Sequence, residues 1–308
     1  MANSISICIP CYNSERYVRT TIESALAQTM PASEILISDD RSPDRSFEII
    51  KEYEGIARLR ITRPPRRTTI GGHYRFLLDQ STADYICFLS SDDALMPDFV
   101  ETMHQELEGE ENIALVAGGC LETSSNLVPL RIRGIGAPRS VLNPPAGFHF
   151  MTKGLHYNIS FSLFSRQLLL QTPILPAEAD LVTDWFWALL LGTRGKFKFV
   201  RRPMGFYRVH SSNAGHNNKE GIQQASLVML EFLEGLLEPE LGHGLESLLN
   251  HELHDSQRLD RGEGVRSVNI KNRAMNLVKS AIALVYRKLP AAIQMAEQGV
   301  GLALKRQR

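Results

Sequence analysis

The segment Tyr85-Ile-Cys-Phe-Leu-Ser-Ser-Asp-Asp93 is the clearest guide to the fold of this chain. Its first five residues are almost wholly apolar, and such a short run is typical of a strand that is buried on both faces of a parallel sheet. The run then breaks into Ser90, Ser91, Asp92 and Asp93. Adjacent carboxylates at the end of a buried strand are costly unless they bind something. Because open α/β sheets bind their ligands at the carboxyl ends of the strands, we expect a site here.

Strands alternate with helices on both sides of this stretch. The alternation predicts βαβ units and therefore an α/β fold with a mainly parallel central sheet flanked by helices. Apolar runs predict strands at 4–10, 34–38, 59–62, 85–89, 113–117 and 197–200, and alternating polar and apolar residues favour another within 148–165. Helical spacing predicts helices at 17–28, 46–53, 73–80 and 97–107.

Polar residues follow the first two strands as well. The turn Cys11-Tyr12-Asn13 comes after Pro10, and the pair Asp39-Asp40 closes the second strand. Parallel strands present their carboxyl ends at one sheet edge, so we expect these residues to lie near Asp92. Neither a Gly-x-Gly-x-x-Gly fingerprint nor a P-loop motif occurs, which argues against a dinucleotide or P-loop site.

Composition excludes several classes of protein. The 308 residues carry no formal net charge, so nothing suggests a nucleic-acid partner. The sequence has no visible signal segment and no uninterrupted apolar run of about 18 residues, so no spanning helix is expected. Cys8 and Cys11 have Cys-x-x-Cys spacing, but Pro10 separates them and no second pair exists for zinc. The pattern of the four cysteines suits a reducing cytoplasm better than a disulfide framework. We therefore expect the protein in the cytoplasm, either free or at the inner face of the membrane.

Three motifs in this order resemble the family-two glycosyltransferases of GT-A fold. They are Pro10-x-Tyr12-Asn13, Asp39-Asp40-x-Ser42-x-Asp44 and Ser90-Ser91-Asp92-Asp93, helped downstream by Asp184-Trp185 and Tyr207-Arg208-Val209-His210. The resemblance covers residues 4 to about 213. It implies a GT-A fold with a Rossmann-like sheet, and an inverting enzyme that moves a sugar from a nucleotide donor to a hydroxyl.

The resemblance also implies roles for single residues. Nucleotide binding would fall to the first-strand and second-strand motifs and to one serine: Pro10, Tyr12, Asn13, Asp39, Asp40 and Ser91. Asp92 would hold a divalent cation, Mn²⁺ or Mg²⁺, against the donor diphosphate, with His210 as a further ligand. Asp184 would be the general base that deprotonates the acceptor. Asn158, Ser160 and Trp185 are acceptor candidates, although strand or core positions explain each of them equally.

The sequence departs from the family pattern in three places. Ser90 stands where the motif usually has its first aspartate, Thr183 stands where a glutamate usually precedes the base, and Arg41 replaces a glycine. The first change leaves Asp92 to anchor the cation, with waters and Asp93 or His210. Asp184 also opens a predicted helix, so it could be only an N-cap.

After residue 215 the composition shifts towards amphipathic helices. Helical spacing predicts helices at 220–237, 245–259 and 268–289, the last of them basic. We therefore expect a catalytic domain at 1–214 and a helical C-terminal extension at 215–308. The basic stripe could pack on the catalytic domain, form a homodimer or contact an anionic membrane.

The leading hypothesis is thus an inverting, hexosyl-type glycosyltransferase. Its partners would be a nucleotide-diphosphate sugar, with uridine diphosphate favoured, and a saccharide or glycolipid acceptor in bacterial-type polysaccharide or glycolipid synthesis. A catalytically impaired relative that only binds nucleotide sugars remains open because of Ser90 and Thr183. A sugar-phosphate nucleotidyltransferase is the other alternative, but it would usually have a Gly-rich loop after the first strand, where this chain has Cys11-Tyr12-Asn13.

Overall fold

Four parallel strands form the first half of the central sheet. A computed structural model describes residues 3–134, 136–152, 157–211, 213 and 218–236. The four strands are β1 (Ile5–Cys11), β2 (Glu34–Asp39), β3 (Leu59–Thr62) and β4 (Tyr85–Phe88). They lie in the order β3-β2-β1-β4 and agree with the predicted apolar runs to within one or two residues.

The second half of the sheet is mixed. It contains β5 (Ala94–Leu95), β6 (Ile113–Thr123), β7 (Pro129–Arg133), β8 (Ser162–Ser165) and β9 (Lys196–Arg208). Strand β8 lies antiparallel between β4 and β6, whereas β9 runs parallel to β6 along most of its length. Strands β5 and β7 add short antiparallel pairs to β9 and β6. Most paired residues therefore belong to parallel pairs, and the predicted α/β class with a GT-A-like sheet is confirmed.

Helices cover both faces of the sheet. The first face carries α1 (Val18–Leu26), α2 (Ser46–Lys51) and α4 (Phe99–Leu107), and the second carries α3 (Ile70–Gln80), α5 (Ala146–Thr152), α6 (Arg166–Leu170), α7 (Thr183–Gly192) and α8 (Lys219–Leu236). Strand β1 supplies both cores because successive side chains point to opposite faces: Ile7 and Ile9 pack with the first set, and Cys8 packs with the second.

Residues 148–165 differ from their prediction. They form part of α5, a 3-10 helix at Ile159–Phe161, and only then the short strand β8. The polar residues that mimic strand alternation include Asn158, whose side chain accepts a hydrogen bond from Ser160 N and so caps the 3-10 helix. The predicted strand at 197–200 is the start of the much longer β9, and the two-residue β5 and the exposed β7 were not predicted.

The last described helix packs on the rest of the fold. Helix α8 starts one residue before the predicted 220–237 and lies against the 3-10 helix Ala177–Val182. Ala225, Met229 and Leu233 are buried in the same core as α7. The helices predicted at 245–259 and 268–289 lie outside the described residues, and the division at 214/215 stays a prediction. Within the described ranges, no helix is both long enough and apolar enough to cross a membrane.

Candidate active site

The carboxyl ends of β1, β2 and β4 meet at one edge of the sheet. Beyond the strands proper, Asp40 N donates to Cys11 O at 2.8 Å and Leu89 N donates to Cys8 O at 2.9 Å. These bonds hold the polar loops that follow the strands side by side. The motifs after the three strands therefore come together as the sheet topology predicts.

Asp92 faces His210 across this edge. Its Oδ2 lies 3.0 Å from His210 Nε2 and accepts a hydrogen bond of 3.2 Å from Asn213 Nδ2. The Asp92 side chain keeps 23% of its surface exposed and that of His210 keeps 9%. A cavity of about 340 Å³ opens beside His210 and is lined by residues 13–17, Asp44, Ser125 and Ser211. The two predicted metal ligands are thus brought together, 118 residues apart in sequence, with open space beside them.

Asp93 points away from the cavity, into the protein. It is 1% exposed, its Oδ2 accepts from Ser160 Oγ at 2.7 Å, and its Oδ1 accepts from Arg208 N at 3.0 Å. Burial, followed by the charge of Asp92, raises the pKa of the Asp93 carboxyl well above its usual range. Ser90 Oγ lies 3.0 Å from the same Ser160 hydroxyl. Asp93 is therefore a buried hydrogen-bonded group, and Asp92 is the more exposed carboxylate, in contact with His210.

This donor set fits a divalent cation. A carboxylate oxygen and an imidazole nitrogen that approach to 3.0 Å can both ligate Mn²⁺, and Mg²⁺ and Mn²⁺ commonly keep several water or phosphate oxygens as their other ligands. Asp93 does not add a ligand because it is 1% exposed and its two oxygens contact Ser160 Oγ and Arg208 N within the protein. Within the described part of the chain, no cluster of three or more His, Cys, Asp or Glu residues forms a richer metal site.

Asp39 is buried and is paired with an arginine. Its carboxylate is fully buried, forms an ion pair of 2.7 Å with Arg63 and accepts from Ser42 N at 3.2 Å. The Arg63 guanidinium lies over the Phe47 ring, 3.9 Å from its centroid. The neighbouring Asp40 accepts from Thr68 N at 2.9 Å and so fixes the loop that follows β3.

The other residues predicted to bind the nucleotide lie at the ends of the same strands or in the loops that follow them. Tyr12 is 38% exposed, and the Arg67 guanidinium lies over its ring at 3.9 Å. Asn13 has a left-handed backbone with φ of 53°, which asparagine tolerates, and its N–H donates to Ser42 Oγ at 3.0 Å. Pro10 pairs with Ser38 in the sheet. Ser91 is buried, 2.7 Å from Ser14 Oγ, so its contacts belong to the framework of the loop.

Asp184 is the second residue of α7. The N-cap is Val182, so the explanation of Asp184 as an N-cap is wrong. Its Oδ1 accepts from Trp185 N at 2.8 Å, and its backbone oxygen accepts from the Tyr157 hydroxyl at 2.6 Å. Burial raises the pKa of the Asp184 carboxyl to about 6, although the Trp185 hydrogen bond lowers it. The charges of Asp184 and Asp92 both raise the pKa of Tyr74, so both carboxylates lie within electrostatic reach of one hydroxyl.

The three acceptor candidates all make structural contacts. Asn158 caps the 3-10 helix, Ser160 is fully buried against Asp93, and Trp185 Nε1 donates to Met151 O at 2.9 Å while the residue is 9% exposed. Their proposed role in acceptor binding stays a prediction, and their observed contacts support the explanation that they are framework residues.

Sequence reasoning missed several residues of this edge. Tyr17 stacks on His210, Asn213 bonds to Asp92, and Arg63 pairs with Asp39. The sequence could have indicated Arg63, because this residue begins the basic loop at 63–72. No sequence pattern indicates Tyr17 or Asn213, since only tertiary contacts bring them to Asp92 and His210.

Several known proteins are similar to this chain in sequence. Residues 6–170, more than half of the chain, match the model of the family described as glycosyl transferase family 2. EpsH of Bacillus subtilis (strain 168) is 24% identical over 239 residues, which cover 74% of this chain and 67% of EpsH. The chondroitin synthase of Escherichia coli is 35% identical over 113 residues, which cover 36% of this chain and 16% of the synthase.

Solved structures support the fold. Residues 1–349 of S. aureus TarS in complex with UDP-GlcNAc superpose with a TM-score of 0.58 at 14% sequence identity, covering 74% of this chain and 65% of TarS 1–349. The chain thus spans about two thirds of EpsH and of TarS 1–349 and much less of the synthase. The likeness to TarS shows a shared GT-A architecture, and the match over residues 6–170 shows that this chain belongs to glycosyl transferase family 2.

Proposed function

We propose that the protein is an inverting glycosyltransferase that moves a hexosyl group from a uridine diphosphate sugar to a hydroxyl of a saccharide or glycolipid. The observation that carries the proposal is the pair of carboxylates with different environments. Asp92 contacts His210, which lines a cavity, whereas Asp184 is half-buried and the pKa of its carboxyl is raised to about 6. Two carboxylates with separate roles are what direct displacement of a diphosphate needs.

The reaction follows from these two groups. The acceptor oxygen attacks the anomeric carbon, the bond from that carbon to the diphosphate oxygen breaks, and Asp184 takes the hydroxyl proton. A single displacement inverts the configuration at this carbon. A divalent cation held by Asp92 and His210 would neutralise charge on the departing diphosphate. A base with a pKa of about 6 is ionised at neutral pH and close enough to that pH to accept a proton efficiently.

The nucleotide would lie at the ends of β1 and β2. Asp39 can accept a hydrogen bond from a base N–H, and the exposed Tyr12 ring can stack on the base. Uracil and thymine are favoured over guanine since each carries an N–H between two carbonyl groups, which suits a carboxylate beside Arg63, and we propose uracil. The TarS complex with UDP-GlcNAc supports the same choice by analogy. The relatives support a role in polysaccharide synthesis, and we place the enzyme in the cytoplasm.

A donor screen followed by product analysis tests the proposal. The full chain is melted with uridine, thymidine and guanosine diphosphate sugars in the presence of Mn²⁺, and the donor that gives the largest shift is incubated with candidate acceptors. Proton NMR then reads the anomeric configuration of the product. We expect a uridine diphosphate sugar to stabilise most and the product to be inverted. A retained configuration would refute the mechanism. Stabilisation without transfer or donor hydrolysis would identify a catalytically impaired relative instead.

A further inference from the structure

The His210 ring packs against the aromatic ring of Tyr17, which is distant in sequence. The Tyr17 and His210 rings stack with centroids 4.7 Å apart and an angle of 23° between their planes. Tyr17 lies just before α1, whereas His210 follows β9, so the contact joins the first and last parts of the candidate active site. Stacked rings favour an offset arrangement at this separation, which restricts rotation of the imidazole.

Arg208 also lies near the Tyr17 ring. Its guanidinium carbon lies 5.2 Å from the centroid of Tyr17, and its Nη1 donates to Asp92 O at 2.8 Å. Arg208 is 3% exposed, and its backbone N–H donates to Asp93. A buried arginine near an aromatic face gains from the cation–π interaction because it is desolvated. The chain of contacts from Tyr17 through Arg208 therefore ends on the backbone of Asp92.

Asn213 completes the connection. Its Oδ1 accepts from His210 N at 2.6 Å, and its Nδ2 donates to Asp92 Oδ2 at 3.2 Å. His210 Nε2 and Asp92 Oδ2 are thus fixed relative to each other from three directions. The motif usually has an aspartate where this chain has Ser90. With one carboxylate fewer, the orientation of Asp92 and His210 matters more for binding a cation.

We propose that Tyr17 is a positioning residue for the cation: its ring, supported by Arg208, holds the His210 imidazole against Asp92 so that both ligand atoms point to one place. The inference rests on the proposed function, in which Asp92 and His210 hold a divalent cation. Residues that orient metal ligands without touching the metal typically change metal affinity by 10–100-fold when they are mutated. The reacting groups of donor and acceptor need no contact with Tyr17.

The test compares aromatic and aliphatic substitutions at this position. Binding of Mn²⁺ to the full chain is measured by electron paramagnetic resonance of the free ion, with and without uridine diphosphate. Tyr17→Phe keeps the ring and is the matched control, whereas Tyr17→Leu and Tyr17→Met remove it. We expect the two aliphatic variants to weaken Mn²⁺ binding about 10–100-fold and Tyr17→Phe to stay within about threefold of wild type. The Mn²⁺ concentration for half-maximal transfer should rise likewise, with kcat largely restored at saturating Mn²⁺.

Each other outcome overturns the inference. Unchanged Mn²⁺ binding in a folded aliphatic variant would show that the stack does not orient His210. Equal losses in Tyr17→Phe and Tyr17→Leu would assign the effect to the hydroxyl and not to the ring. If one aliphatic variant loses its cooperative melting transition, the other provides the measurement, and loss of folding in both would give Tyr17 a purely structural role. Wild-type chain that transfers sugar without binding Mn²⁺ or Mg²⁺ would remove the cation site but leave the transferase activity standing.

Discussion

Replacing Asp184 by asparagine tests its proposed role as the general base separately from its effect on stability. In the fold, burial raises the pKa of this carboxyl from 3.8 to about 6, so the native state favours the neutral form. The associated stabilisation is complete below the unfolded-state pKa and is lost as the pH rises through about 6. Asparagine mimics the neutral form, and its side-chain oxygen can still accept the hydrogen bond from Trp185 N.

The size of the effect follows from the shift in pKa. A difference of about 2 pKa units is worth about 3 kcal/mol at pH 8, where both states of wild type are ionised. At pH 5 the native carboxyl is already mostly protonated, and the difference falls to about 1.5 kcal/mol. Asp184→Asn should therefore raise the free energy of unfolding by up to these amounts, reduced to the extent that solvent reaches the carboxyl.

Turnover should change in the opposite direction. A general base typically contributes 10²–10⁴-fold, so Asp184→Asn should lose about that factor while donor affinity is preserved. In wild type, kcat/KM should fall as the pH drops below about 6, because the base becomes protonated. The expected combination is a more stable protein that is nearly inactive.

The assay pairs urea unfolding at pH 5 and pH 8 with transfer rates at the same two values. Asp79→Asn is the matched control, since Asp79 is an exposed carboxylate near the far end of α3 that pairs with Arg75. It should leave both turnover and stability nearly unchanged. Near-normal turnover in Asp184→Asn would reject Asp184 as the base. A variant that is no more stable than wild type at pH 8 would show that the carboxylate is not desolvated.

Three further substitutions test the other parts of the site. Asp39→Ala should weaken binding of uridine diphosphate by about 1–3 kcal/mol in calorimetry, with Asp79→Ala as control; equal affinity would contradict the hydrogen bond to the base. Asp92→Asn should lose the Mn²⁺-dependent increase in melting temperature and most of its transfer activity, as chelator should do in wild type, and full activity in chelator would point to a metal-independent site. Ser90→Asp should melt at a lower temperature than wild type in chelator, because it adds a carboxylate beside Asp92 and Asp93, and should regain stability with Mn²⁺; no difference between the two conditions would place the new carboxylate away from the cation.

Much of the sheet is predictable because burial leaves a simple pattern. The runs at 34–38 and 59–62 are apolar and bounded by turn residues, so their strands follow directly from the sequence. Strand β7 could not be predicted in this way, since all five of its residues are exposed and it is held by pairing with β6. The region 148–165 failed for a different reason: capping by Asn158 places polar residues at spacings that resemble a strand.

The candidate site, like the sheet, has features that the sequence predicts and features that it does not. Parallel strands place their carboxyl ends together, so the nearness of Tyr12, Asp39 and Asp92 follows from element order alone. The environment of each carboxylate depends on long-range contacts that no local pattern encodes. Asp39 is neutralised by Arg63, 24 residues later, and Asp184 is desolvated by the packing around α7. Sequence motifs therefore identify the residues of the site, whereas tertiary packing determines the electrostatic environment of each carboxylate.

Asp92 and Asp93 show why a motif alone does not define a metal site. Two adjacent carboxylates suggest two ligands, but they lie in a turn closed by the hydrogen bond from Asp93 N to Ser90 O, and here Asp92 lies beside His210 while Asp93 is buried. Asp93 is satisfied by Ser160 and by the N–H of Arg208, and Ser90 joins the same hydrogen-bonded group through Ser160. A carboxylate in place of Ser90 would add a negative charge next to Asp92 and the buried Asp93, whereas a hydroxyl adds none. A serine at the first motif position is thus compatible with the packing beneath the site, and at the proposed cation site it would leave His210 and the residues that hold it to orient the cation.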